Sequence, residues 1–381
     1  MALENNPTLA QSQAKASAGH GRRLQAGLRP NPTIGYMGDD IGDAGRAGQQ
    51  GMFIAQEFVR GDKLGLSQDV ASHDIDRLAW EFEVQRYRVL TSVRKGFYEV
   101  LIAQRQVKLA EQLLSISEKG TQVADALLKE RLGSKVDLLQ SRVEANNARI
   151  VLQKSRNRLQ AAWTRLTTTL GAPQMAPAPL VGDAEAESQK LNAEQSLQQI
   201  LATSPELAAA QVKVARANSV LERACAEPTP NVTVQVGAKY DFASEFALAQ
   251  VQVGIPLPIH NRNQGNVQAA EYELVAAHRE VERVRLDLEN RFASVLERYQ
   301  NAQSQIERFR QSILPDAAES LELVTQGYRE GELDYLRYLT AQRTNFQVNL
   351  EYLAALHEWW AARLEIEGAL LTDGLRAPAA D

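Results

Sequence analysis

Two hydrophobic periodicities alternate along this chain, and together they predict a mainly helical protein with a small β part. Period seven runs through the longer stretches. Val93, Val100, Val107 and Leu114 are followed by Thr121 and Leu128, and Leu274, Val281, Leu288 and Val295 by Ala302 and Phe309. Phe292, Tyr299, Ile306 and Ile313 form a second seam four residues on, as coiled-coil packing requires. Stretches 62–131 and 263–326 are therefore expected as single long helices, each reaching on the order of 100 Å at about 1.5 Å per residue. Return helices are expected at 135–170 and 332–372.

Period two marks two β-hairpins, at about 33–59 and 231–257. In the second, Val232, Val234 and Val236 alternate with Thr233, Gln235 and Gly237. After a turn near 241–245, Val251, Val253, Ile255 and Leu257 alternate with Gln250, Gln252 and Gly254. One face is apolar and the other is Gln, Thr and Gly. A soluble sheet also alternates, but apolar-out and polar-in over about ten residues is what a membrane barrel strand needs. The first hairpin is bridged by Asp39, Asp40, Gly42, Asp43, Gly45 and Gly48, which reads as an exposed loop.

The order of elements occurs twice. Pro7-Thr8-Leu9-Ala10 returns as Pro205-Glu206-Leu207-Ala208, with Gln13 and Lys15 meeting Gln211 and Lys213, and Pro30-Asn31-Pro32 meets Pro228-Thr229-Pro230. The expected organisation is a first repeat at 1–170, a Pro/Ala-rich linker at 171–192, a second repeat at 193–372 and a tail at 373–381. Pro173, Pro177 and Pro179 forbid a continuous helix across the linker.

Composition narrows the function. Of 381 residues, 44% are hydrophobic and 23% charged, enough for a real core, and a net charge of -5 gives no field that would attract nucleic acid. No apolar run is long enough for a transmembrane helix, so strands must do any spanning. Met1 is followed by Ala2-Leu3-Glu4-Asn5-Asn6-Pro7, which reads as helix and turn and not as a secretory signal, so a mature or shortened chain is expected. Cys225 is the only cysteine, which excludes an intrachain disulfide and a thiolate cluster. His20, His73, His260, His278 and His357 are scattered without ligand spacing, and no phosphate loop or Gly-x-Ser-x-Gly elbow occurs. No catalytic, cofactor or metal site is expected.

The breaks in the long helices carry more information. Arg131-Leu132-Gly133-Ser134 precedes the first return helix, and Tyr328-Arg329-Glu330-Gly331-Glu332-Leu333-Asp334 precedes the second. Glycine suits a helix end, and Ser134 or Glu332 can serve the next start. Each break predicts a helical-hairpin turn. Close behind them lie Asp137 with Arg142 and Asp334 with Arg337, whose plainest use is pairing along their own helix.

The duplicated order of helix, hairpin, long helix and return helix resembles the TolC-type outer-membrane efflux proteins over essentially the whole chain. Local matches are residues 2–9, the two turns, and Ile255-Pro256-Leu257-Pro258 followed by Asn261-Arg262-Asn263-Gln264-Gly265. This last run is similar to the strand-to-helix corner of the cobalt–zinc–cadmium subgroup. The resemblance implies a passive exit duct for efflux, conducting heavy-metal cations in that subgroup. It implies a homotrimer with a twelve-stranded barrel in outer-membrane lipid and a helical barrel in the periplasm. It also implies a membrane-fusion adaptor and an inner-membrane pump of the RND type as partners, with no nucleic acid. On the same basis Arg131, Leu132, Gly133, Ser134, Tyr328, Glu330 and Gly331 become candidate adaptor-docking tips, and Asp137, Arg142, Asp334 and Arg337 a candidate periplasmic gate. Arg337 and Thr340 stand where the family would place acids.

Two alternatives stay open on the sequence. A coiled-coil scaffold explains the long helices but not the alternating hairpins at equivalent points of both halves. A periplasmic adaptor combines helical hairpins with strands, but not as a tandem duplication.

Overall fold

The computed structural model describes residues 1–131, 133–185, 190–330 and 332–376. In chain order the elements are α1 (Ala2–Asn5), α2 (Pro7–Ala26), β1 (Thr33–Asp39), a 3-10 turn (Asp43–Gly45), β2 (Gln49–Phe58) and α3 (Lys63–Lys129). Then follow α4 (Lys135–Thr169), α5 (Ala193–Thr203), α6 (Pro205–Ala226), β3 (Val232–Asp241) and β4 (Phe246–Gly254). α7 (Gln264–Arg308), a π turn (Phe309–Ile313), α8 (Leu314–Arg329) and α9 (Tyr335–Glu367) complete the chain. Two compact units result: one of Ser12–Phe82 and Pro205–Arg285, the other of Met1–Gln11, Glu83–Ser204 and Leu286–Asp381.

The first unit holds the sheet. Its four strands pair antiparallel in the order β1-β2-β3-β4, so the two hairpins are joined through β2 and β3. The register aligns one apolar face, with Ile34 opposite Ile54, Ile54 opposite Val236 and Val236 opposite Val251. The other face carries Gly35, Gly51 and Gly237 with Thr233, Gln235, Lys239 and Gln252. Ring and thioether groups lie over these glycines: Phe53 on Gly35 and Met37 on Gly237. At the strand-to-helix corners the backbone turns left-handed, at Gly61 (φ 71°) and Asp62 (φ 52°) before α3 and at Asn263 (φ 61°) before α7. Asn231 ties the first corner: its Oδ1 accepts from Lys63 Nζ at 3.0 Å and its Nδ2 donates to Glu57 at 2.7 Å. Asn263 ties the second by donating to the Ala224 carbonyl at 2.8 Å.

In the second unit, most of the α7 seam packs as its heptads predict: Leu288, Phe292, Val295, Tyr299, Ala302, Ile306 and Phe309 are all buried, but Ile313, expected to continue it, is 38% exposed in the π turn. The single helix expected over 263–326 is instead divided. Pro315 has no N–H and its ring would meet the carbonyl of Gln311, so the helix widens just before it. The Leu314 N–H donates to the Phe309 carbonyl, five residues back. The expected α3 seam holds at Val100, which is fully buried, and is displaced beyond it. The buried heptad positions are Ala103, Gln106, Ala110, Leu113, Ser117 and Ala124, while Val107, Leu114 and Leu128 are half-buried. Small residues let the neighbouring helices approach closely there. A cluster of Val100, Ala162, Trp163 and Leu166 anchors the segment after α4, where Met175 and Leu180 pack against it. The indoles of Trp163 and Trp360 donate to the carbonyls of Met175 and Ala184, and Tyr98 stacks on Trp360.

Candidate functional site

Each turn between long helix and return helix closes on backbone chemistry. At the first, Arg131 takes the left-handed conformation (φ 59°) and its N–H donates to the Leu128 carbonyl at 3.1 Å, while the Gly133 N–H reaches the Leu127 carbonyl, six residues back, at 3.0 Å. The glycine therefore serves close approach: a Cβ at 133 would stand 2.9 Å from Leu127 Cβ. Ser134 caps α4 in a capping box, its Oγ accepting from the Val136 N–H and its own N–H donating to Asp137. At the second turn the N–H groups of Glu332 and Leu333 both donate to the Gly327 carbonyl, and Asp334 caps α9 by accepting from the Arg337 N–H at 2.9 Å. Leu132 and Gly331 lie outside the described residues.

The four charges named from the sequence thus divide by role. Asp137 and Asp334 are helix caps, so the bond of Asp334 with Arg337 is to its backbone. Arg142 does not pair with Asp137; its charge acts on Asp125 across the hairpin, where Lys129 and then Arg142 hold the Asp125 carboxyl below its usual range. Arg142, Arg149 and Arg156 recur every seven residues on α4, opposite Asp125, Glu118 and Glu111 on α3. Arg149 meets Glu118 at 2.7 Å and Arg156 meets Glu111 at 3.0 Å. At the step nearest the turn Asp125 forms its ion pair with Lys129, and Arg142 acts on it as a longer-range charge.

Tyr328, named from the sequence as a docking-tip candidate, is joined at the second turn by Tyr335 and Tyr338, which were not. Tyr328 stacks on Tyr338 at 5.4 Å between centroids, and Tyr335 lies 5.7 Å from Tyr328 and 6.1 Å from Tyr338. Burial pushes the Tyr335 hydroxyl up to about 12, with the other phenols and Glu144 adding to the effect and a hydrogen bond with Ser141 opposing it. Tyr328 is raised by burial and then by the charge of Asp137. The seven-residue step from Tyr328 to Tyr335, across a turn, was the available signal.

Beyond the tyrosines, α9 meets α3 and α4 through polar groups. Gln342 donates to Ser117 of α3 at 3.4 Å, and α3 is tied to α4 beside it by Thr121, which donates to the Ser141 carbonyl at 3.1 Å. Arg343 grips the buried Glu144 with Nε at 3.0 Å and with Nη2. Among the described residues no group of three or more His, Cys, Asp or Glu is placed to hold a metal, and no helix is long and apolar enough to cross a membrane.

Residues 1–172 and 196–370 match the family described as Outer membrane efflux protein. The chain belongs to that family. It is 29% identical over 372 residues to the cobalt-zinc-cadmium resistance protein CzcC of Cupriavidus metallidurans, covering 97% of this chain and 88% of that protein. Its fold matches the crystal structure of CusC with a TM-score of 0.81 at 19% identity, over 98% of this chain and 90% of CusC. The MtrE outer membrane channel of Neisseria gonorrhoeae, in its open state, matches with a TM-score of 0.75 at 17% identity, over 100% of this chain and 89% of MtrE. The protein is an outer-membrane efflux channel of the TolC type. Its work is conduction, and it is not an enzyme.

Proposed function

We propose that three copies of this outer-membrane channel pool their sheets into a twelve-stranded barrel, and that the helical hairpins of each copy line a periplasmic duct joined to an adaptor and an RND-type pump. One observation carries the reading: in the middle of the sheet, at Gln235, Gly237, Lys239 and Gln250, the polar face is the more covered one. Ile34 is 70% and Val251 69% exposed, whereas the side chain of Lys239, paired with Asp39 at 2.8 Å, is 16% exposed. A soluble sheet does the opposite; a sheet with lipid outside and water inside needs this arrangement. β1 and β4 also have unpaired outer edges. In hydrocarbon each unsatisfied backbone group costs several kcal/mol, so copies must share strands until the sheet closes.

The two-repeat organisation, with repeats at 1–170 and 193–372 about the linker at 171–192, is part of this proposal. So are adaptor docking at the turns 131–134 and 328–331 and a resting gate that includes Asp137, Arg142, Asp334 and Arg337. The cargo we assign is divalent heavy-metal cations, on the similarity to CzcC and on the 255–265 corner. A lining of Gln, Thr and Gly supports passage of a hydrated ion without capture, since conduction requires weak binding.

The test compares Val234→Arg with Gln235→Arg. A charge facing lipid near the midplane costs roughly 2–4 kcal/mol, and one facing a wet lumen far less. Trimer yield in membranes should fall strongly for the first and little for the second; equal yields would reject the barrel. Cadmium, zinc and cobalt retention by a strain lacking the channel then tests the cargo.

A further inference from the structure

We propose that residues 255–259 form a lipid anchor, an apolar ridge lying in the leaflet at the strand-to-helix end of the barrel, with Arg60 and Arg262 against its anionic phospholipid headgroups. The inference rests on the membrane reading of the sheet. On β4 the apolar face is odd-numbered: Ala247, Ala249, Val251 and Val253. Pairing stops at Gly254, but the odd stripe continues as Ile255, Leu257 and Ile259, which are 47%, 75% and 62% exposed. The lipid-facing stripe therefore outruns the hydrogen-bonded sheet.

The backbone of the ridge suits an apolar medium. An unpaired extended segment normally presents N–H groups that hydrocarbon cannot satisfy. Here Pro256 and Pro258 have none, and the Ile259 N–H donates to the Leu257 carbonyl at 2.9 Å. The prolines also hold the segment extended without a strand partner. The ridge does not rest on a protein core: Pro256, Leu257 and Pro258 border a cavity of about 350 Å³ whose other walls include Lys63, Glu57 and Asn231.

Geometry gives the ridge a use. β4 has nine residues, about 30 Å at 3.4 Å each, and projects to about 23 Å along the membrane normal at a tilt of about 40°. An apolar band is about 25 Å tall, so the strand ends near its edge. At the loop end of the sheet Tyr36 and Tyr240 occupy the apolar face, whereas at the corner end Phe58 is joined by the ridge. The ridge fills the place of an aromatic girdle there, and the exposed Arg60 and Arg262 mark where headgroups begin.

The full chain, carrying Cys225→Ser, would be labelled with an environment-sensitive fluorophore at Leu257→Cys or at Val251→Cys. It would then be placed in vesicles of phosphatidylethanolamine and phosphatidylglycerol with lipids brominated near the carbonyls or near the chain ends. The label at 257 is expected to lose at least half its fluorescence to the shallow bromines and less to the deep ones, with the order reversed at 251. Quenching at 251 but not at 257 overturns the anchor, leaving the ridge in water or under a second copy. Quenching at neither overturns it together with the barrel. Arg60→Gln with Arg262→Gln should reduce quenching at 257 about twofold in these vesicles and not in pure phosphatidylcholine; an equal effect in both removes the headgroup contact from the proposal.

Discussion

The two helical hairpins run through similar elements but are held by different forces. α3 and α4 are joined by an ion ladder with a seven-residue step and a complete capping box, and α3 buries a seam rich in small side chains. The second hairpin runs through a π turn into Pro315, closes on three tyrosines and has a single Asp334 cap. A ladder of charges sets register at little energetic gain. A π turn marks a backbone already off its optimum, and stacked rings tolerate sliding better than directed ion pairs. The first hairpin is thus built as a strut, and the second as the element with room to shift. Among the contacts that hold the second against the first, Arg343 with Glu144 is the one that reaches a buried charge, and there the comparison is most open to attack.

Arg343→Met is expected to have the largest effect. It leaves the Glu144 carboxylate, whose side chain is 8% exposed, without its partner. Removing one member of a fully buried pair costs 3–5 kcal/mol; with Arg343 more than half exposed, about 2 kcal/mol is the reasonable expectation. Melting of the solubilised protein should drop, and resting conductance in a planar bilayer should rise as α9 loosens. Arg149→Met, which breaks an exposed rung of the ladder, should change neither by a comparable amount. If the two variants behave alike, the strut-and-shifter distinction is wrong.

Next in size is the turn itself. A Cβ at 133 would press on Leu127 Cβ at 2.9 Å and on backbone at 3.3 Å, whereas one at 327 would meet the end of the Leu333 side chain at 2.8 Å. The leucine can rotate away and the backbone cannot, so Gly133→Ala should cost about 1–3 kcal/mol and Gly327→Ala less. Trypsin cutting after Lys129 or Arg131 should accelerate in the first variant more than cutting after Arg329 does in the second. The reverse order would mean that the first turn is the more adaptable.

These contrasts were unevenly legible in the sequence. The α7 seam could be read because large apolar residues occupy it, from Leu288 through Phe309. Beyond Val100 the α3 seam was misread by a residue or so because most buried positions there are Ala, Gln and Ser, with Leu113 the one large apolar residue, while Val107 and Leu114 beside them are only half-buried. Hydropathy reports which residues avoid water, not which ones let two backbones approach. The hairpins were legible from their alternating valines, but the pairing of β2 with β3 joins residues far apart in sequence and left no local sign. Asp137 and Asp334 were found by their position and assigned to pairing, yet an acid three residues after Ser134, or directly before a helix, is first a cap. Tyr328 was found as a tip residue, but Tyr335 and Tyr338, and with them the ring cluster, were missed because charges were sought behind the turn and phenols were not.

The tyrosines give a smaller, pH-dependent test of the second hairpin. The Tyr335 phenol titrates near 12 in the folded protein against about 10 when unfolded, so the folded state holds its proton more tightly. Its contribution is fully present below about pH 10 and is lost as pH rises through about 12. Absorbance of tyrosinate should show a late step near pH 12 that disappears in Tyr335→Phe. Resting conductance should begin to rise over the same interval, and a flat conductance would detach the cluster from closure.

The ladder should yield the smallest effect, and its value lies in what kind of effect that is. Arg149 and Glu118 are 58% and 43% exposed, so the charges are well solvated and their attraction is screened by salt. Reversing one charge, as in Glu118→Arg, should cost no more than about 0.5–1 kcal/mol. If the ladder instead specifies register, reversing one side of all three rungs, Asp125, Glu118 and Glu111 to Arg, should do more than three times the single effect. The hairpin can then escape repulsion only by slipping, which would move Ala103, Ala110 and Ser117 out of their close contacts. Restoring opposite charge with Arg142, Arg149 and Arg156 to Glu should recover the melting temperature, with the first hairpin again a strut. Strictly additive losses, with no recovery in the sixfold variant, would reduce the ladder to ordinary surface charge and leave register to the small-residue seam alone.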